Sequence, residues 1–531
     1  MSMHCLSQEI ISKIIFLVID QDPSDHDWPV GKQNGCLAAV SRTWQAVVEM
    51  RTFRNITLRQ HDLAEAARII TLVRQPLVHT VNIDIQLDDY NEGTRWRVES
   101  PAEQQRNSEV YTAAVRGVFN LIQGWEKPSY GDGLDLKLHV WSPSDINRLS
   151  PEAAEDMVRR LPFSPLRRYE GSVIRFLEGA DALPGLKHVV DLEIQQFPVR
   201  SWQGRELYRA VDPASASLII SKCTNLRRLK LHLMDWPRGA LEERKRRRKT
   251  IAAAIDRLPQ RLQELRFAYW ASPPRDEKCV PPSLLSPGED EDALSLSLRR
   301  FWRRPGTRAL NISCTILGQE FFWPKSEGDN DEDAGYNSDD HSWLETWDRH
   351  PSASLEQLRV DWPILTPDGR WLYERPRAKI ADQVAWEESD IRDDDATDLN
   401  DNDAAAAVGP TDPDPELDDA AYTNMHRFRI APVRGLINPL LKAMARAMGQ
   451  MPALADFEWV HPGNWPANRV QYNPNFDDGG GNLGFDGFGL YDADEQLIDM
   501  GEPLLDEGVV QAFTEVLSAR EPKGKVEVTI E

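Results

Sequence analysis

The chain has 531 residues, 41% of them hydrophobic, enough for two or more domains or for one elongated array with a continuous core. Its five cysteines, Cys5, Cys36, Cys223, Cys279 and Cys314, are odd in number and far apart, with no CxxC or Cys/His pair at metal-ligand spacing, which argues against a disulfide framework and a zinc site and for a reducing compartment. The net charge of −23 is local: Ser326 to Met425 holds 28 Asp and Glu against 7 Lys and Arg, and the rest of the chain is close to neutral, so no general repulsion of nucleic acid follows from it.

Leu6, Ile10, Ile14 and Leu17 recur at helical spacing, so Ser7 to Ile19 is expected to form an amphipathic helix with Ser7 as N-cap and Glu9 in its first turn. The best apolar run here, "IISKIIFLVI", covers ten residues broken by Ser12 and Lys13, too short for a bilayer, and "MSMHCLSQE" lacks the basic stretch of a secretory signal. A soluble intracellular protein with no membrane partner, cytoplasmic or nuclear, is expected. A Pro-, Gly- and Asp-containing stretch from Asp20 to Gly35 then interrupts the pattern. A second helix is expected from about Cys36 to "MRTF", with Leu37, Val40, Trp44, Val47 and Val48 on one face. Residues 1–59 thus read as a small helical module, marginal without something to dock against. "RNITL" reads as the first strand leaving it.

Beyond the module a short strand recurs, written apolar-x-x-apolar-x-apolar. It appears as "VVDLEI" (Val189, Leu192, Ile194), "LRRLKL" (Leu226, Leu229, Leu231), "LQELRF" (Leu262, Leu265, Phe267), "LEQLRV" (Leu355, Leu358, Val360) and "LADFEW" (Leu454, Phe457, Trp459). Weaker copies are "VHTVNI" (Val78, Val81, Ile83) and "LDLKLHV" around Leu136. The first three strong copies begin 37 and then 36 residues apart. The stretches between them, "RELYRAV" with "SASLIISKC" and then "ALEERKRRRKTIAAAIDRL", read as helical. A strand plus a helix at a fixed period is the pattern of a solenoid, in which each unit buries its apolar face against its neighbours. The pattern is regular from Val189 to Phe267 and irregular after it, and an array over residues 60–463 is expected. Five Trp-Pro pairs punctuate the chain, two of them directly after strand copies, where Pro ends the ladder.

Residues 325–342 and 387–421 are rich in Asp, Ala and Pro with few apolar anchors, and they are expected to be disordered acidic insertions. Asn464 to Leu490 is rich in Gly, Asn and Asp with interleaved aromatics and is expected to be an irregular cover opening a C-terminal segment, residues 464–531. A helix, "GVVQAFTEVLSA", and a strand, "KVEVTIE", close that segment. The fold class expected is α/β of a repeat type.

Chemical motifs are sparse. Asp329, Asp331 and Asp333 fit the start of a calcium loop, but Ala334 stands where Gly is needed and Asp340 where a bidentate Glu is needed. "DDGGGNLGFDGFG" has glycines but neither GxGxxG after a strand nor GK[ST]. No HExxH, GxSxG or kinase set occurs, so no catalytic, cofactor-binding or metal-ligating residue is nominated. Six consecutive basic residues, Arg244, Lys245, Arg246, Arg247, Arg248 and Lys249, read either as a nuclear-import run or as a solvated helix face that meets the acidic insertions. Without interleaved aromatics they give little support to nucleic-acid contact.

The first 59 residues resemble an F-box. "LSQEIISKIIFLVI" is similar to the family's opening Leu-Pro-x-Glu-Ile/Leu helix, and "LAAVSRTWQAVV" followed by "TFRNITL" is similar to its closing Leu-x-x-Val-Cys-Lys/Arg-x-Trp segment. The resemblance places Leu6, Glu9, Ile10, Ile14 and Leu17 on the first adaptor-facing helix, and Leu37, Val40, Arg42 and Trp44 on the second. Ser7 stands for the usual Pro, Ser41 for the usual Cys, and the loop from Asp20 to Gly35 is longer than the family norm. An F-box before a leucine-rich array resembles the substrate receptors of Skp-cullin-F-box ubiquitin ligases, and the whole layout is similar to filamentous-fungal F-box-like proteins with an uncharacterised C-terminal region. The resemblance implies a noncatalytic receptor: its module docks on the Skp adaptor of the cullin complex, and its array takes a protein target. The competing expectation is a scaffold outside the ubiquitin system, whose F-box-like helices only cap the array. An enzyme is a distant third.

Overall fold

The computed structural model describes residues 10, 13, 36–90, 94, 97–128, 131–145, 172–194, 210–235, 240–271, 280–324, 354–361, 364–374, 431–460, 469–473, 482–486, 507–520 and 527–530. They form a mixed α/β protein whose sheets are mostly parallel. The chain divides into two compact units, the first made of residues up to Asp89, Ser100–Asp145 and Val173–His232, the second of Tyr90–Glu99, Ile146–Ser172 and Leu233–Glu531.

The first unit opens with helix α1 (Arg42–Thr52), strand β1 (Asn55–Arg59), a short helix α2 (Leu63–Ile69) and strand β2 (Thr80–Gln86). Helix α3 (Pro101–Ile122) leads to β3 (Leu134–Trp141), and β4 (Val173–Ile174), β5 (Val189–Ile194), β6 (Ala210–Val211), helix α4 (Pro213–Ser221) and β7 (Arg228–Asp235) follow. The boundary between the units falls inside β7. Strands β1, β2, β3, β5 and β7 lie side by side in chain order, and every pair is parallel. Parallel neighbours need a long crossover, which is why helices or long loops separate them in sequence. Val81, Ile83, Ile85, Leu136, Leu138, Leu192, Ile194 and Leu229 are fully buried on one face. The alternating positions Asn82, Asp84, Lys137, His139, Asp191 and Lys230 lie on the other face.

Helix α3 packs on β2 and β4. It is set by a capping box: Ser100 Oγ accepts the Glu103 amide at 3.3 Å while Glu103 Oε2 accepts the Ser100 amide at 2.8 Å, with Pro101 in the first turn. The stretch "RELYRAV", expected to be helical, ends instead in β6, which pairs in parallel with β4; its earlier residues lie outside the described set. Ala210 and Val211 are buried there, and pairing with Val173–Ile174 satisfies backbone groups that a fraying helix end would leave open.

The second unit contains α5 (Leu241–Asp256), β8 (Glu264–Ala271), α6 (Ala293–Trp302), β9 (Ala309–Ser313) and β10 (Gln357–Asp361). Then come β11 (Tyr373–Glu374), β12 (Ala431–Pro432), α7 (Arg434–Gly449), β13 (Asp456–Val460), β14 (Arg469–Asn473), β15 (Asn482–Asp486), α8 (Glu507–Arg520) and β16 (Glu527–Ile530). Strands β8, β9, β10 and β13 are again parallel neighbours in chain order. Their register aligns Leu265, Leu310, Leu358 and Phe457 in one row and Phe267, Ile312, Val360 and Trp459 in another, all buried. In the same core α5 packs on α6, and α7 packs on α8.

All seven strand copies read from the sequence fall on strands, from β2 to β13. Strands β7 and β10 stop at Asp235 and Asp361, directly before Trp-Pro pairs, because Pro has no amide to continue a ladder. The irregular cover expected over Asn464 to Leu490 differs: it supplies β14, antiparallel to β13, and β15, antiparallel to β14, and β16 then pairs with β15 in parallel. Its register places Val470 opposite Phe485 and Tyr472 opposite Leu483, a cross-strand pattern that the surrounding Gly, Asn and Asp residues mask in the sequence. The acidic insertions 325–342 and 387–421, with the calcium-like frame inside the first, lie outside the described residues.

Candidate functional site

The adaptor-facing residues expected on the first helix fall mostly outside the described set, which omits Leu6, Glu9, Ile14 and Leu17; Ile10 is helical and exposed. The second helix differs from its expectation. Cys36 to Ala38 is helical, but Ser41 is extended at φ −166 and begins α1 afresh, its Oγ accepting the Trp44 amide at 3.3 Å. Ser is a strong N-cap and favours this break over one continuous helix. The break separates residues that one continuous helix would have placed on a single face. Trp44, Val47 and Val48 form a buried cluster, against which Leu37 and Ala38 pack half-buried. Val40 is 56% exposed and Arg42 is exposed. Trp44 is therefore core, and Val40 is the exposed large apolar side chain of this segment.

The end of α1 is bound to the turn after α2. Arg74 Nη2 donates to Glu49 Oε1 at 2.6 Å, Nη1 donates to the Ile69 carbonyl at 2.9 Å, and the guanidinium lies 5.0 Å from the centre of the Phe53 ring. The hydrogen bond from Arg74 holds the Glu49 carboxyl below its ordinary value, and Glu49 in turn raises the guanidinium. The same turn carries Leu72 at 71% and Val73 at 82% exposure, with Ile69 beside them at the end of α2 also exposed. Nothing in the local sequence pattern distinguishes these side chains from core.

The second surface is the polar face of the first unit's sheet. One row runs Thr80, Asp135, Asp191, Arg228 and the next runs Asn82, Lys137, Glu193, Lys230. Arg228 Nε donates to Asp191 Oδ2 at 2.8 Å and Nη2 to Asp135 Oδ1 at 3.4 Å, while Lys230 Nζ lies 3.3 Å from Glu193. His139 stands between two carboxylates, 3.8 Å from Asp84 and 3.6 Å from Glu193. Burial would raise the Glu193 carboxyl, but neighbouring His139, Lys230 and Lys137 outweigh it and bring it to about 2. Burial and the adjacent Asp191 instead raise Asp135. The face is thus a charge-neutralised ladder, acidic on β5, mixed on β3 with Asp135, Lys137 and His139, and basic on β7. Such a ladder suits specific protein recognition more than attraction of one charge class.

The basic run lies on α5, and the reading of it as a solvated face is corrected. Arg244 forks onto Asp235 at 2.9 and 2.6 Å, and Arg248 forks onto Asp292 at 2.5 and 2.7 Å and also donates to the Ile316 carbonyl. Both arginines are buried. Asp292 also caps α6, accepting the Ser295 amide at 2.7 Å, and its own amide donates to buried Glu320 at 2.6 Å. Burial works against the Asp292 charge, but Arg248 more than compensates and its carboxyl is lowered. Arg246 and Arg247 pair with Glu243, Lys245 with Glu242, and Lys249 with Glu289. Only Arg246, 71% exposed, and Lys249, 48% exposed, keep substantial contact with solvent. Alternate pairing with acidic residues on three sides turns the run into a clasp, which a one-dimensional count of charges does not reveal.

Among the described residues no group of three or more His, Cys, Asp or Glu side chains could hold a metal ion, and no helix is long and apolar enough to cross a membrane. No protein-family model matches the sequence, and no curated protein matches it.

Proposed function

We propose that the protein is a noncatalytic receptor of F-box type: its N-terminal module binds a Skp-type adaptor of a cullin ubiquitin ligase, and its strand–helix units form an irregular leucine-rich-repeat-like solenoid that holds a protein target. The observation that supports this most is the order of the strands. Parallel strands that neighbour one another in chain order, with long crossovers and one polar, internally neutralised face, are what a recognition array needs. The receptor would act by raising the concentration of its target beside a ubiquitin-loaded enzyme, so no nucleophile or cofactor is required of it.

The second reading is a scaffold whose helices only cap the array. It draws on the Glu49–Arg74 bond, which ties α1 to the turn before β2 as a cap would be tied. One experiment separates the two. Because Trp44 is core, the informative substitution is Val40→Asp, at an exposed position where the stability change should stay within about 0.5 kcal/mol. Co-elution of the wild-type chain with a purified Skp-type adaptor, lost in Val40→Asp at unchanged melting temperature, is the expected result. A wild-type chain that does not co-elute leaves the scaffold reading.

A further inference from the structure

We infer that the basic run from Arg244 to Lys249 is a nuclear-import signal that the fold withholds: the chain presents it to an import receptor only when the first turns of α5 unwind. The inference is independent of the adaptor reading above. A receptor for such signals offers an acidic groove and takes a short basic segment in extended form, with neighbouring cations side by side. Six consecutive cations meet the composition of the signal, and the helix denies it the conformation.

An α-helix turns by about 100° per residue, so six successive side chains spread around its whole circumference. Arg244 and Arg248, four residues apart on one face, are buried against Asp235 and Asp292. Lys245 and Arg247 are only 12% and 15% exposed and pair with Glu242 and Glu243. Arg246 and Lys249 remain in contact with solvent, each already beside a carboxylate. Two separated, paired cations do not make a run, so an acidic groove finds no signal on the folded surface.

The same helix shows where release begins. Its buried apolar residues, Ile251, Ala252, Ala254 and Ile255, all follow the run. Ahead of them the buried side chains are Arg244 and Arg248, and Leu241 packs half-buried at the edge of a cluster of Leu284, Ile316, Leu365 and Trp371. Ala240 supplies no side-chain cap to the open amides of the first turn. The run is thus held mainly by ion pairs, to Asp235 at the end of β7, Asp292 at the start of α6 and Glu289 just before it, whereas the later turns are held by apolar packing. Weakening those pairs frees the run while the rest of α5 stays in place.

The test is titration of purified importin-α, a receptor for short basic signals, with the full chain, with its Asp292→Asn variant and with the synthetic peptide Leu241–Thr250. The peptide should bind, and the wild-type chain should bind at least about a hundredfold more weakly, since its readable form is a minor population. Asp292→Asn, with its circular dichroism spectrum retained, should recover at least about tenfold of that loss. Trypsin, which also needs an extended basic segment, should cut the folded wild-type chain within the run at least about a hundredfold more slowly than it cuts the peptide. A peptide that does not bind overturns the inference, because the run is then no signal. A wild-type chain that binds or is cut within the run as readily as the peptide overturns it, because the run is then open. A folded Asp292→Asn chain that binds no better than wild type overturns it, because the ion pairs then do not hold the signal back. Should Asp292→Asn not fold, the wild-type and peptide arms decide alone.

Discussion

Replacing Asp292 by Asn tests whether the basic run is a clasp. Asn retains the side-chain oxygen that caps α6, so the roughly 1 kcal/mol of a cap is largely kept. What is lost is the charge opposite Arg248, a side chain only 3% exposed that the substitution leaves buried without its carboxylate. Breaking one side of such a buried pair costs about 3–5 kcal/mol, a large share of the roughly 5–15 kcal/mol that holds a domain folded. The assay is urea unfolding followed by tryptophan fluorescence, with buried Trp302 on α6 in the affected region. Adding Arg248→Met to Asp292→Asn removes the unpaired charge and should recover about half of the loss, the remainder being the Ile316 carbonyl that Arg248 also serves. The pair's contribution also has a pH sign. The Asp292 carboxyl is lowered in the folded state, so its stabilisation is fully present above the ordinary carboxylate range and is lost as pH falls below that range through the lowered value of the folded state. A loss under about 1 kcal/mol in Asp292→Asn, or a double variant no more stable than the single one, would refute the reasoning.

Trp44→Ala should melt the helical module, since truncating a buried Trp costs about 3–5 kcal/mol; the check is hydrogen exchange at the Val47 and Val48 amides, and unchanged protection there contradicts the assignment of Trp44 to the core. Glu193, brought down to about 2 from 4.5, stabilises the fold above pH 4.5, and that stabilisation is lost as pH falls toward 2. Glu193→Gln should therefore flatten the dependence of the urea midpoint on pH in this window, and an unaltered slope counts against the ladder as described.

The strand copies were legible because apolar positions recur every second residue at their ends, with buried and outward positions alternating cleanly in β3 and β10, and a period of two survives without tertiary context. The helices between them were legible only in part. Helix α3 carries a capping-box signature, Ser100-Pro101-Ala102-Glu103, yet no helix was expected over its residues. Helix α7 hides behind Pro439, which sits inside it and reads as a breaker, although nine of its residues, Leu441 and Met444 among them, are buried. Helix α6 hides behind "LSLSL", an alternation that suggests a strand. It becomes a helix because Asp292 caps its start and its Leu294, Leu298 and Phe301 are buried in the core it shares with α5.

The sequence by itself determined the α/β character, the places of the recurring strand copies and where two of them stop, and the presence of a short helical segment around Trp44, because these depend on local periodicity and on residues such as Pro that act on their own backbone. Tertiary structure decided which side chains of those elements meet solvent. Ser41 restarts the helix and exposes Val40 while Trp44 is buried, and Arg74 locks a turn that displays Leu72 and Val73. Asp235 and Asp292, nine and 44 residues from their partners, draw two arginines of the basic run inside. Exposure and ion pairing are relations between distant parts of the chain, and only the folded arrangement fixes them.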